Sequence, residues 1–478
     1  MASINELKNQ CLGLILTKQQ DEATEIIAEK IENSNKIYTI KNDLKTEIWF
    51  YEDGIYKPNG MSKIKEITRK ILDVAYTSHR VNNVIEKICA DTYIEEDKFF
   101  NINYLDEIPV LNGILNLKTL ELTEFTSNKI FFNKLPVIYN PLAKCPLIDK
   151  FLEDVLKCKE DKKVIYELLG YCLWKEHFIE KAIMFVGEGR NGKGKTLNLV
   201  KRFLGAENCC NIGLNNLKSD SFSVCELFGK LVNLAGDLDN FALKETGLLK
   251  SVTGRDMIEA KRKFLRELYF VNYSKQIFAC NELPKVYDMS LGFWSRWILL
   301  EFPYIFISKK EYEKLDEIQK EKYKIRDTDI IEKITTEEEL SGLLNRAIEY
   351  LHKLLEQKDF SYTKGTKEVK DLWIRKSDSF TSFCMDNIKE SEFEFITKSE
   401  LRQKFSKYCK KHNLKGTSDK AIKVTLESLY GAESVQPRGY QGDIEVAGWR
   451  GITWIKPQKM ITEWDSPENS EEIEDKVY

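Results

Sequence analysis

The chain has 478 residues, 42% of them hydrophobic, and a formal net charge of −3. That is enough for several cores and, at ~150 residues per domain, for about three domains. No run of eighteen apolar residues occurs and Met1-Ala-Ser-Ile-Asn-Glu-Leu-Lys8 lacks an apolar signal core, which excludes a helical membrane span or secretory leader and predicts a cytoplasmic protein with no membrane partner.

Residues 1–140 alternate helical runs (Glu22 to Ile31, Lys63 to Ala75, Asn82 to Ala90) with the strand-like Lys36-Ile-Tyr-Thr-Ile40 and Glu47-Ile-Trp-Phe-Tyr51, with Gly54 and Gly60 at turns. This predicts an α+β N-terminal domain, either an oligomerisation collar or a partner-binding unit. A primase would need paired acidic metal ligands such as Asp-x-Asp on a strand, and none stands out. Pro136 to Pro146 reads as a linker. Apolar residues at helical spacing from Leu147 to Trp174 (Leu152, Val155, Leu156, Val164, Leu168, Leu169) predict a helical layer. The eleven cysteines form no Cys-x-x-Cys pair, so reduced thiols and no zinc site are expected.

Ala182-Ile-Met-Phe-Val186 runs straight into Gly187-Glu-Gly-Arg-Asn-Gly-Lys-Gly-Lys-Thr196, a buried strand followed by a glycine-rich phosphate loop and a helix. Glycines let backbone N–H groups converge on one concavity, the helix adds the positive end of its dipole, and a lysine neutralises β- and γ-phosphates. Two registers are open. The pattern G-x-x-x-x-G-K-T from Gly189 closes on Gly194 and Lys195 and makes Thr196 the magnesium ligand. The other starts at Gly187, where the strand stops, spans Asn191, and closes on Gly192, Lys193 and Gly194. We favour Lys193, because the loop then begins at the strand end and Leu197, Val200, Phe203 and Leu204 continue one helical face.

Further apolar strands follow. Leu231 to Ala235 ends in Gly236-Asp237-Leu-Asp239, Gln276 to Cys280 ends in Asn281-Glu282, and Trp297 to Phe302 is entered from Gly292-Phe-Trp-Ser-Arg296. Strands alternating with helices predict an α/β core with ligands at the strands' carboxyl ends. Hydrolysing a nucleotide needs a strand-end carboxylate for magnesium, a group that positions water, and a cation for the charge developing on the γ-phosphate. Asp237 and Asp239 are candidates for the metal and water roles, with Asp237 nearest the strand. Asn281 is a candidate to orient water or touch the γ-phosphate, and Arg296 is the candidate arginine finger. The plainer alternatives are turn or cap roles for the first three and a structural ion pair for Arg296. Between the strands, Lys261, Arg262, Lys263 and Phe264 form a hairpin tip combining cations for phosphates with a ring for bases, as a single-stranded DNA channel requires. Taken alone, a solvent-facing basic turn is the simpler reading. The Lys- and Glu-rich run from Lys309 to Lys333 reads as a solvated helical face, and Glu337 to Leu355 as an amphipathic helix.

At the C-terminal end, Ser377 to Ile388, Thr397 to His412 and Asp419 to Tyr430 read as helices. Ser434 to Ile455 reads as a hairpin, with Gly439, Gly442, Gly448 and Gly451 at its turns. Three helices and a hairpin predict a winged helix. Residues 397–456 carry twelve Lys/Arg against six Asp/Glu, so Lys420 and Lys423 on the third helix suit the major groove of double-stranded DNA, while Arg438, Tyr440 and Arg450 suit its backbone or minor groove. A protein-docking winged helix is the alternative. Ser466 to Tyr478 is acidic and reads as disordered. The expected divisions are residues 1–140, 141–360, 361–460 and the tail 461–478.

Cys145-Pro-Leu-Ile-Asp-Lys-Phe-Leu152, Leu169-Gly-Tyr-Cys-Leu173, Gly187 to Lys193, Leu249-Lys-Ser-Val-Thr-Gly-Arg-Asp256, Asn281-Glu-Leu-Pro284 and Gly292 to Arg296 together resemble the phage and plasmid primase-helicase group of superfamily 3 helicases, between residues 105 and 350. The resemblance implies an AAA+ ATPase using ATP and Mg2+, assembled as a homo-oligomeric ring, usually a hexamer, that translocates 3′ to 5′ on single-stranded DNA. It puts Lys193 on the phosphate-loop lysine, Asp237 on the second-motif acid, Asn281 on the sensor asparagine and Arg296 on a finger acting on the neighbouring subunit's ATP. Lys261, Arg262 and Lys263 fall on the DNA-contacting hairpin. Gly194 replaces the usual Ser/Thr, Asp237 a frequent glutamate, and Ser295 the first of two arginines, with Thr196 as the substitute magnesium ligand. The expected protein is a replication initiator and helicase of a phage, plasmid or related mobile element. It would bind an origin through its winged helix, make no primers itself, and take a separate primase or polymerase as partner. Two alternatives stand beside it: an origin-binding ATPase that remodels DNA or loads another helicase without unwinding, and a DNA-binding repressor whose assembly ATP controls.

Overall fold

The computed structural model describes residues 4–40, 46–100, 104–217, 221–236, 243, 246–262, 267–412, 416–435 and 447–455. Contacts divide the chain into two units, Met1–Lys370 and Asp371–Tyr478.

The centre of the first unit is built from α1 (Pro146–Val155), α2 (Lys159–Leu173), β1 (Ala182–Val186), α3 (Lys193–Leu204), β2 (Cys209–Cys210), β3 (Val232–Ala235), α4 (Gly247–Thr253), β4 (Lys275–Cys280), α5 (Leu291–Trp294), β5 (Trp297–Glu301) and α6 (Glu337–Gln357). The strands make one sheet in the order β5-β1-β4-β3-β2, and every neighbouring pair is parallel. All five residues of β1 are buried, which is why its sequence is an unbroken apolar run rather than an alternating one. Register sets Val186 level with Cys280 and Glu301, and Ala182 level with Gln276 and Trp297. Whatever follows β1 and β4 therefore gathers at one end of the sheet, and whatever precedes β5 gathers at the other.

The expected helical layer before the loop is two helices, α1 and α2. Gly170 of α2 lets that helix approach α6 closely, since a Cβ there would meet the Ala347 carbonyl and Leu351. Near the amino ends of the strands the Lys275 ammonium is buried. It donates to the carbonyls of Trp174 (2.7 Å), Tyr273 (2.8 Å) and Glu176 (3.0 Å), and lies 4.1 Å from the centroid of the Tyr171 ring.

Residues 4–100 form helices Ile4–Leu16, Gln20–Ser34, Gly60–Leu72 and Ser78–Asp91 over a sheet ordered Ile55–Lys57, Glu47–Glu52, Ile37–Ile40, Tyr93–Ile94. Ile27, Ile31, Ile64, Ile71, Val84 and Ile88 form their shared core, at the helical spacing visible in the sequence. A hairpin, Met257–Ala260 with Leu268–Val271, stands between α4 and β4.

The run from Lys309 to Lys333 is not one helical face. Lys309–Tyr312 and Glu317–Lys320 are single turns, each started by its own capping box at Ser308 and Asp316. Tyr323–Ile325 pairs in parallel with Ile305–Ile307, and Ile330–Ile334 is a further short helix. Two reciprocal caps eight residues apart start a new helix each time, so no long one forms.

In the second unit, helices Ser379–Asn387, Lys398–His412 and Asp419–Tyr430 pack with an antiparallel sheet ordered Ile388–Thr397, Gly448–Trp454, Glu433–Val435. The strand Ile388–Thr397 lies between two expected helices, and its Glu392-Phe-Glu-Phe395 alternates polar and apolar residues as a strand does. Its register jumps from Glu390 opposite Ile452 to Phe395 opposite Arg450, so residues 391–394 bulge against Gly451, which takes φ of 96°. Phe393 on this bulge is 88% exposed.

Replacing Lys275 by Met would leave three buried carbonyl oxygens without their donor. The variant is expected to lose about 3 kcal/mol of stability, measured as a lower urea midpoint with an unchanged slope; an unchanged midpoint would show that the ammonium contributes nothing net.

Candidate active site

The loop after β1 can take its course only because it has glycine at two tight points. A Cβ on Gly187 would meet the Asn191 amide and the Phe302 carbonyl, and one on Gly192, whose φ is 94°, would stand 2.5 Å from Val155. Asn191 is buried and braces the turn: Nδ2 donates to the Phe302 carbonyl at 3.3 Å, and Oδ1 accepts from the Lys193 backbone N–H at 3.3 Å. This cradle at the start of α3 suits a phosphate group.

Lys193 is buried, and its Nζ donates to the Gly187 carbonyl, to the Glu188 carbonyl at 3.3 Å and to Asn281 Oδ1 at 3.0 Å. The structure therefore brings Gly187, Asn191, Gly192, Lys193 and Asn281 into one place. The two side chains meet because β4 lies beside β1 and ends level with it. Lys195 is exposed and lines a neighbouring cavity instead. Gly189 and Gly194 have open space where a side chain would project.

Thr196, expected as the substitute magnesium ligand, is turned inward. Its side chain is fully buried and its hydroxyl donates back to the Gly192 carbonyl at 3.2 Å, so it is not open to a hydrated magnesium ion in this structure. Among the described residues no group of three or more His, Cys, Asp or Glu could hold a metal. Asp237 and Asp239 lie outside the described residues.

Arg296 lies at the far end of the sheet. It precedes β5, while the loop follows β1, so the register separates Arg296 from Gly187 by about 20 Å along the strands at ~3.3 Å per residue. Its Nη2 donates to Glu180 at 2.7 Å, Nε donates to Thr253 Oγ1 at 3.2 Å, and Nη1 donates to the Gly292 carbonyl. Within one chain it thus forms an ion pair, with Glu180 55% exposed at the surface. The approach to Arg296 is pinned by Asp288. Burial pushes that carboxyl up, but hydrogen bonds from Lys250, Ser290 and Thr246 outweigh burial and hold it well below the usual carboxylate range.

Of the hairpin cations, Lys261 is exposed and Arg262 is ion-paired to Glu47; Lys263 and Phe264 lie outside the described residues. In the second unit, helix Asp419–Tyr430 buries Ile422 and Leu426 and leaves Lys420 and Lys423 exposed, Lys423 lying 3.6 Å from Glu427. Arg450 is exposed on its strand, and Arg438 and Tyr440 lie outside the described residues.

A feature the residue patterns do not announce is a cavity of about 740 Å³ beside the loop. It is walled by Phe151 and Val155 of α1, Arg190, Lys195, Phe306 and Lys333, among others. The i, i+4 pair Phe151 and Val155 just ahead of the phosphate loop is the trace of it in the sequence.

A family model described as D5 N terminal like matches residues 24–157, and one described as a family of unknown function (DUF5906) matches residues 185–292. A curated protein of Acanthamoeba polyphaga mimivirus named "Putative helicase L207/L206" is 31% identical over 170 residues, 34% of this chain. The chain resembles the phage-type primase-helicase group. The match spans only 18% of that viral relative's length. Among solved structures, the apo NrS-1 C-terminal region aligns over 89% of this chain and 98% of its own, with a TM-score of 0.47 at 12% identity. Its A form aligns over the same shares with a TM-score of 0.42 at 12% identity.

Removing the ammonium from the cradle and removing the exposed one beside it should differ. Lys193→Ala is expected to weaken binding of a fluorescent nucleoside triphosphate by roughly 100-fold, the scale of about 3 kcal/mol for a charge-assisted contact, and Lys195→Ala by far less. Equal losses would show that both lysines reach the phosphates.

Proposed function

We propose that this chain is an ATP-driven DNA helicase that acts at replication initiation, of the superfamily 3, AAA+ kind. The observation that carries this reading is the contact of Lys193 with Asn281 at the mouth of the phosphate loop, with Arg296 at the opposite end of the same sheet. Arg296 does not reach the phosphate loop of its own chain, so in this reading a second copy supplies it, which favours a closed ring over a monomer. In it, Lys193 neutralises the β- and γ-phosphates, Asn281 orients the attacking water, and the neighbour's Arg296 meets the charge that develops on the γ-phosphate. The fit of the glycine cradle to phosphate supports ATP as the nucleotide, its base and ribose extending into the cavity between Phe151 and Phe306. Magnesium supplies charge neutralisation when bound; with Thr196 turned inward, Asp237 is the proposed holder. The hexamer and the 3′ to 5′ direction rest on the resemblance to the primase-helicase group.

Lys261 and the rest of the hairpin tip would follow single-stranded DNA. The second unit runs helix, strand, helix, helix, strand, strand, which supports a winged helix. Its exposed Lys420 and Lys423 would enter the major groove at an origin, with Arg450 on the backbone. A separate primase or polymerase would take over the opened strands.

Unwinding of a forked duplex with ATP tests this. Wild type is expected to separate the strands, and Lys193→Ala and Arg296→Ala each to fail. Mixing the two inactive proteins should restore part of the ATPase activity, because a loop intact in one copy then meets an arginine intact in another. ATP hydrolysis without any unwinding would point to a helicase loader, and an inactive mixture would place Arg296 in a purely structural role.

A further inference from the structure

Arg262 is held differently from Lys261 beside it. Its side chain is only 11% exposed, Nη1 donates to Glu47 Oε1 at 2.8 Å, and Nη2 lies 3.8 Å from Glu96. Both carboxylates belong to the N-terminal domain, Glu47 opening the strand Glu47–Glu52 and Glu96 the helix Glu96–Phe100. The same domain is also linked to the hairpin's base through Phe228. On the hairpin's second strand Leu268 and Phe270 face inward while Tyr269 and Val271 face out. Phe270 meets Phe228 edge to face at 5.4 Å between ring centroids, and Phe228 meets Phe100 at 5.2 Å. Phe100 in turn packs against Phe99 and Trp49. One short helix thus supplies a carboxylate for the cation and, through Phe228, the far end of the ring chain that reaches the hairpin's base. Such edge-to-face contacts add directional hold to simple burial.

A guanidinium held this way is contested. A DNA phosphate that took it would have to displace two carboxylates, leave Glu47, 17% exposed, without its partner, and then sit beside that negative charge. Leaving a half-buried charge unpaired and opposing like charges both weaken binding. We propose that the N-terminal domain is an autoinhibitory clamp on the hairpin, withholding Arg262 from single-stranded DNA until hairpin and domain part. The clamp rests on the DNA-binding reading above, and it gives the domain a role as a brake on strand engagement.

Anisotropy of a labelled oligothymidine, titrated with the full chain over a series of salt concentrations, tests it. The Glu47→Gln/Glu96→Gln variant is expected to bind several-fold more tightly at low salt, with a log–log salt slope steeper by about 0.7, one more phosphate neutralised on a single strand. Adding Arg262→Ala to that variant should erase both gains, since the two effects run through one contact. No gain in the glutamine variant, or a gain that survives loss of Arg262, overturns the clamp. Should the pair destabilise the fold in a thermal melt, Glu96→Gln alone, at the longer and more exposed contact, is read by the same slope. Failure of wild type and every variant to bind at low salt would instead overturn the DNA-binding reading, a result distinct from tight binding that does not respond to the glutamines.

Discussion

Parallel, in-step pairing of β4 and β5 with β1 is the constraint from which the rest of this molecule follows. It sorts functional groups by whether they come after a strand or before one. The phosphate loop and Asn281 come after; Arg296, Thr253 and Glu180 cluster where β5 begins. No rotamer change carries Arg296 across a buried strand, so geometry alone separates the groups that grip a phosphate from the cation that would meet its charge. The sheet can impose this because β1 and β4 are buried throughout, and a strand with both faces covered has little freedom to slip.

The two ends are also held differently. At the loop, Lys193 donates to two backbone carbonyls and to the Asn281 amide oxygen. At the other end Arg296 and Asp288 are tied by charged partners, and a buried ammonium at Lys275 fastens the chain segments around Trp174 and Tyr273. The N-terminal domain adds a third kind of hold, in which rings from three stretches of chain, at Phe100, Phe228 and Phe270, join it to the hairpin.

Local chemistry explains what could be read in advance. A strand ending in a glycine loop carries its meaning within fifteen residues, and an apolar run ending at Asn281 marks a strand end wherever the strand lies in the sheet. The choice between Lys193 and Lys195 was harder. Two helix positions apart they point about 200° from one another, so only one faces the cradle, and which one depends on where α3 begins. Thr196, one position further along the helix, is turned inward, where its hydroxyl meets the Gly192 carbonyl. The cations at the hairpin tip look alike as a string, yet the partner of Arg262 lies 215 residues away, a distance over which pattern carries no information. Between Lys309 and Lys333 composition suggested one helix, whereas Ser308 and Asp316, each followed three residues later by Glu or Gln, were legible signs of repeated restarts.

The bulge in the second unit has a consequence of another kind. Ile388–Thr397 is the outer strand of its sheet, pairing among the described residues only with Gly448–Trp454. A straight ten-residue border would offer a row of backbone donors and acceptors to any passing strand, including the same strand of a sister molecule. Four residues looped out opposite Gly451 break that row, and Glu390, Glu392 and Glu394 around the break repel a like border. For molecules crowded side by side, this is protection against fusing into fibres.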